Sequence, residues 1–277
     1  MYRYIGDTLL YNVIDLLGSV VLFVFNLCQY KRQKEFRSYS TNYIQNAIAK
    51  KFPNSKIKIF SGCVFWIILE LLIFSVVQYA LTGFYNRQFG DMIGTGANYF
   101  GKLYHIPFLI VAFCILLWVD PIKQIDLLTP SFPLALFFSK IACFCNGCCN
   151  GIQWQNGLFN YRSNLYEFPL QLVEAGLALL IFIFLMFWRK KAKPGTMFPT
   201  YLIIYSATRF CSEFLSAKED VFWILKTYHI LCLIGIAFGV IELIVALKLG
   251  DQISEFFSTT HYTIPNNSKK KNKKKKA

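Results

Sequence analysis

Residues 168–188 read FPLQLVEAGLALLIFIFLMFW and run directly into Arg189, Lys190 and Lys191. Wound as an α-helix, such a run rises about 31 Å, close to the roughly 30 Å hydrocarbon thickness of a bilayer. Glu174 is its one formally charged side chain. In lipid every backbone N–H and C=O must be satisfied within the segment, so a helix is what this run can form there. The abrupt basic stop after Trp188 marks a membrane edge.

Composition extends that reading to the whole chain. Of 277 residues, 55% are hydrophobic and 16% charged, whereas a soluble domain carries about a quarter charged residues. Comparable apolar runs cover about 8–28, 59–81, 104–120, 128–145, 168–188, 197–215 and 221–248. The third and fourth meet at Asp120-Pro121 and read either as two spans or as a half-helix pair. The expected fold is all-α, with about seven transmembrane helices.

Charge distribution gives an orientation. The first loop holds eight Lys and Arg and the fifth four, while the second has two and the third, fourth and sixth one each. The tail adds Lys269 to Lys271 and Lys273 to Lys276. By the positive-inside rule the N-terminus lies outside and the C-terminus in the cytoplasm. The net charge of +14 thus faces an anionic inner leaflet rather than nucleic acid. The first apolar run leads into a basic stretch without a small-residue cleavage site, so no cleaved signal peptide is expected. Residues 1–258 are expected to form the membrane domain and 259–277 a disordered Lys-rich tail. Residues 31–58 read as a loop in preference to an interfacial helix. No internal repeat is visible, which weighs against a transporter of duplicated halves.

Ionisable residues within spans are costly, and so are functional candidates. Lys140, Glu174, Arg209 and Glu213 stand out, with Asp15 and Glu70 weaker. Arg209 and Glu213 are four apart and share a helical face. They read as a structural ion pair or as a phosphate-binding guanidinium oriented by its carboxylate. Lys140 can snorkel to the interface or join a site. Gly147 and Gly151 permit close backbone approach, for a headgroup or for a tight turn. Five cysteines (Cys28, Cys63, Cys114, Cys211, Cys232) occur singly and read as small packing residues. Cys143, Cys145, Cys148 and Cys149 are crowded together. They allow packing, a disulfide or a metal site of Cys-x-x-Cys type, with no His nearby to strengthen the last.

Three stretches resemble the prolipoprotein diacylglyceryl transferase family. Lys140-Ile-Ala-Cys143-Phe-Cys-Asn146-Gly147-Cys-Cys149-Asn-Gly151 is similar to its Arg-Ile-Gly stretch and Gly-rich turn. Phe168-Pro169-Leu-Gln171-Leu-Val-Glu174 is similar to a His-Pro-x-Gln-Leu-Tyr-Glu pattern. Tyr205-Ser-Ala-Thr-Arg209-Phe-Cys-Ser-Glu213 fits Tyr-x-x-x-Arg-Phe-x-x-Glu. The matches fall in order, cover residues 128–240, and accompany the family's seven-span, N-outside topology. The chain departs from the family at Lys140, where an Arg is usual, at Phe168 for His and at Val173 for Tyr. A His-Gly-Gly motif has no clear counterpart near Asn98 to His105.

The resemblance implies an enzyme of the bacterial cytoplasmic membrane. Such an enzyme moves diacylglyceryl from phosphatidylglycerol to the lipobox cysteine of a preprolipoprotein signal peptide. It implies Arg209 and Lys140 at the phosphate, Glu213 orienting Arg209, and Gln171 and Glu174 lining a headgroup cavity. Asn146, Gly147 and Gly151 would shape the turn beside it. No metal or other cofactor is implied. The other readings are a catalytically inactive phospholipid-binding homologue and a small-solute transporter.

Overall fold

The computed structural model describes residues 8–32, 99–116, 120–217 and 225–261. Along the chain these form α1 (Thr8–Arg32), α2 (Tyr99–Leu116), α3 (Pro121–Leu128) and α4 (Ser131–Asn146). A hairpin of β1 (Gln153–Asn160) and β2 (Leu165–Glu167) follows, then α5 (Leu170–Trp188), α6 (Met197–Glu213) and α7 (Thr227–His261). The apolar run at 59–81, with Glu70, and the tail beyond His261 lie outside the described residues.

Local sequence accounts for the breaks. Asp120 caps α3, its Oδ1 accepting from the N–H groups of Ile122 (3.0 Å) and Lys123 (3.2 Å), with Pro121 in the first turn, where a missing N–H costs nothing. The chain breaks again at Thr129-Pro130 before α4. The region expected as two runs meeting at Asp120-Pro121 is therefore α2, a short capped α3, and α4. Gly147 ends α4 in the left-handed region at φ 65°, a conformation glycine adopts freely. No side chain of its own caps α6. Asp126 of α3 does so from a distance, accepting from Gly195 N (2.6 Å) and Met197 N (3.2 Å).

Among the described residues, four segments are long and apolar enough to cross a membrane: Leu9–Gln29, Pro121–Asn146, Leu170–Trp188 and Tyr228–Phe256. Leu9, Leu180, Phe187 and Ile241 point outward from these helices, an apolar exterior too extensive for a water-facing monomer. Inside, α4 packs between α1 and α5, α5 meets α6, and α6 lies along α7. The core is Leu136, Ala178, Leu185, Phe198, Tyr201 and Leu202. Phe132 stacks on Tyr201 (6.0 Å between centroids) and Tyr201 on Tyr205 (5.9 Å).

The all-α expectation needs one correction, because the segment between α4 and α5 carries the antiparallel hairpin. Phe159 faces Tyr166 and Asn160 faces Leu165, with a bulge between Gln153 and Leu158. Phe159 packs edge-on against both Tyr161 (5.1 Å) and Tyr166 (5.2 Å), contacts of the kind that stabilise strand pairs. Asn164 takes the positive φ of the turn, as Asn tolerates.

Polar side chains gather at the two ends of the bundle. At one end Ser254 bonds Asp120 (2.7 Å) and Arg189 bonds Gln29. The other end, beneath the hairpin, holds the candidate site.

A buried cation and carboxylate cluster as candidate functional site

Four charged side chains from three helices meet beneath the hairpin. Lys140 comes from the last turns of α4, Glu174 from the first turns of α5, and Arg209 and Glu213 from the end of α6. Lys140 Nζ lies 2.5 Å from Glu174 Oε2, and Arg209 Nη1 pairs with Glu174 Oε1. Arg209 Nη2 pairs with Glu213 Oε2, one turn away on the same helix. Ser212 Oγ adds a bond to Glu174 Oε1 (3.3 Å). The Tyr228 ring lies 5.5 Å from the guanidinium carbon, within cation–π range.

These charges are shielded from water. Side-chain exposure is 15% at Lys140, 10% at Arg209, 6% at Glu174 and 0% at Glu213. Coulombic attraction is much stronger in such surroundings than in water, and removal of one partner leaves an uncompensated buried charge. Two cations and two carboxylates balance formally. Glu213 Oε1 has no hydrogen-bond partner among the described residues.

A cavity of about 20 Å³, roomy enough for a water molecule, opens between α4, α5 and α6. Lys140, Glu174, Arg209 and Ser212 line its polar side, and Leu136, Leu177, Ala178 and Ile181 its apolar side.

The residues expected to shape the turn fall into a second, adjoining network. Gln171, fully buried, donates from Nε2 to the Cys148 carbonyl (2.6 Å). It fixes the turn, while Glu174, expected beside it in the cavity lining, is the one in the ion cluster. The space over Gly147 is filled by the Asn160 amide, and Asn160 Nδ2 donates to the Gly147 carbonyl (3.0 Å). Gly151 pairs with Ser216 in an isolated bridge and lies against the Phe168 carbonyl. Asn146 is the half-buried last residue of α4, outside the ion cluster.

Sequence reasoning missed two anchors. Glu167, buried in β2, accepts from Asn150 Nδ2 (3.0 Å), Asn160 Nδ2 (2.8 Å) and Ser163 Oγ (2.5 Å), and so ties the hairpin to the turn. A carboxylate in a loop of ordinary polarity gives no signal in one sequence. Lys226 was signalled by the rule that exposed Lys140, but was absorbed into the run 221–248. It sits just before α7 and donates to the carbonyls of Glu213 (3.1 Å) and Ser216 (2.7 Å), where a helix end favours a cation.

The four crowded cysteines separate. The sulfurs of Cys143, Cys148 and Cys149 lie within 4.8 Å of one another, whereas Cys145 is buried apart from them. No disulfide joins the eight described cysteines.

Residues 37–245 match the family model for prolipoprotein diacylglyceryl transferase. Similar proteins carry the name phosphatidylglycerol–prolipoprotein diacylglyceryl transferase. That of Clostridium tetani is 31% identical over 139 residues, 47% of this chain and 55% of its own length. That of Chlorobaculum tepidum is 30% identical over 188 residues, 60% and 65%. That of Ehrlichia canis is 28% identical over 210 residues, 67% and 80%. Against the Clostridium tetani and Campylobacter hominis relatives, the match spans 55% and 49% of their length, about half.

Proposed function

This chain belongs to the prolipoprotein diacylglyceryl transferase family, and on that premise we propose that it transfers diacylglyceryl from phosphatidylglycerol to the lipobox cysteine of preprolipoproteins. The relatives' names supply both substrates. One observation carries the reading to these residues: Lys140 and Arg209 converge on the two oxygens of a single carboxylate, Glu174. Two cations that reach one carboxylate also reach one phosphate.

In the proposed reaction the acceptor thiolate sulfur forms a bond to the terminal glycerol carbon of the diacylglyceryl group. The bond from that carbon to the phosphate oxygen breaks, and glycerol phosphate leaves with the electron pair. Negative charge develops on the departing phosphate, and preorganised cations in a water-poor site stabilise it. Arg209 offers the planar fork suited to phosphate and Lys140 a point charge. As the phosphate takes over these cations, Glu174 is displaced from them. Glu213 holds Arg209 in place, and its second oxygen is an acceptor suited to a glycerol hydroxyl. Gln171, Gly147 and Gly151 keep the turn rigid above the cavity.

The proposed topology keeps seven spans, the N-terminus outside and the C-terminus in the cytoplasm of a bacterial inner membrane. The basic run at 189–193 then lies inside and the ion cluster near the outer surface, where lipoprotein precursors emerge. Rescue of a transferase-depleted bacterium tests the function. Growth with modified lipoproteins is expected. Phospholipid binding without rescue would point to an inactive homologue.

A further inference from the structure

The sulfurs of Cys143, Cys148 and Cys149 converge although the residues occupy two different local structures. Cys143 lies in the last turns of α4, and Cys148 and Cys149 follow Gly147. Two left-handed residues turn the chain back, Gly147 at φ 65° and Cys149 at φ 62°. For a non-glycine residue that conformation carries a cost and persists where the surroundings impose it. Its result is a Cys149 sulfur 3.9 Å from that of Cys143. The Cys148 thiol reaches the Cys143 carbonyl at 3.6 Å.

The Cys143–Cys149 sulfur spacing matches a metal better than a covalent bridge. A zinc–sulfur bond of about 2.3 Å places two thiolates of one ion roughly 3.8–4.0 Å apart. A disulfide would need the sulfurs to close to about 2.05 Å. Three soft thiolates select zinc-class or cuprous ions over magnesium or calcium. Cys149 is exposed and the other two half-buried, which leaves a path for an ion and an open side to the cluster. Lys140 stands three residues before Cys143 on the same face of α4 and within electrostatic reach of Cys143 and Cys149. Lys140, which lines the cavity, thus links the thiol cluster to it.

We infer that Cys143, Cys148 and Cys149 hold one zinc-class ion, with a fourth position open to the acceptor thiol. The second half rests on the transferase reading; the metal site itself does not. Coordination releases the thiol proton to water and leaves a bound thiolate, which then attacks carbon while the phosphate departs with the bond's electron pair. This supplies the thiol activation that the ion cluster, already paired, leaves unassigned.

The test uses the full chain purified in detergent under reducing conditions. Metal analysis should find zinc in about one-to-one ratio, lost in Cys143→Ser and Cys149→Ser but kept in Cys145→Ser. With cobalt in place of zinc, a thiolate charge-transfer band should appear and shift when a lipobox peptide is added, but not its Cys→Ser counterpart. Absence of bound metal with three titratable thiols, or a Cys143–Cys149 disulfide, overturns the site. A retained metal whose spectrum ignores the peptide overturns the acceptor role. Because metal content and spectrum are read without turnover, a chain that binds zinc but fails to rescue growth separates failure of the transferase reading from failure of the site.

Discussion

Arg209 of α6 and Glu174 of α5 form an ion pair at the buried end of the bundle, and Glu174 carries a second cation, Lys140, on its other oxygen. Helices α4, α5 and α6 are thus joined through one carboxylate. Two consequences follow: the carboxylate marks where an anion belongs, and its loss leaves two buried cations facing each other.

Arg209→Ala should abolish diacylglyceryl transfer, by a hundredfold or more if the guanidinium acts on developing charge, while the protein still inserts. Arg209→Lys should recover only part of the rate, since the bidentate fork is gone. Labelled-lipid transfer and membrane-fraction immunoblotting measure the two properties separately.

Lys140→Arg should preserve or raise transfer, because the charge remains and a planar, bidentate fork replaces the point charge. Lys140→Gln should lower it sharply. Full activity in the Gln variant, in the same assay, would reduce Lys140 to a structural partner of Glu174.

Glu174→Gln should destabilise the protein by about 3–5 kcal/mol, the usual penalty for stranding a buried charge. Paired with Lys140→Met, the loss should shrink, giving a coupling of about 0.5–3 kcal/mol. Denaturation of the detergent-solubilised variants measures both. Additive losses would mean that the pair does not interact.

Glycine substitutions should divide by position. Gly147→Ala faces both a positive φ and the Asn160 amide, and Gly151→Ala the Phe168 carbonyl, whereas a Cβ on Gly176 meets nothing within 4 Å. Thermal denaturation and transfer assays should show losses for the first two variants and little change for Gly176→Ala.

How far the sequence spoke depends on the kind of order. The apolar run at about 168–188 gives α5 (Leu170–Trp188) to within two residues at its start, because a lipid span leaves the backbone one solution. The ion cluster was legible for a related reason: charge inside an apolar run is conspicuous, and Lys140, Glu174, Arg209 and Glu213 were each visible alone. That Glu174 bridges two cations while Gln171 turns away to the Cys148 carbonyl depends on how α4 and α5 pack, which periodicity does not encode. The hairpin stayed hidden because the Asn150, Asn160 and Ser163 contacts that tie it to Glu167 occur in a polar loop without alternation. Three of four crowded cysteines converge only because Gly147 and Cys149 reverse the chain.

In the proposed reaction Lys140 and Arg209 together bind the phosphate of a phosphatidylglycerol donor during transfer. Purified protein should be given phosphatidylglycerol labelled in its acyl chains and a lipobox peptide, and the label followed into a thioether-linked product. Label should reach the peptide, depend on its cysteine, release glycerol phosphate, and disappear in Arg209→Ala. Undiminished transfer by Arg209→Ala, or no transfer by a correctly inserted wild-type protein, would contradict the account.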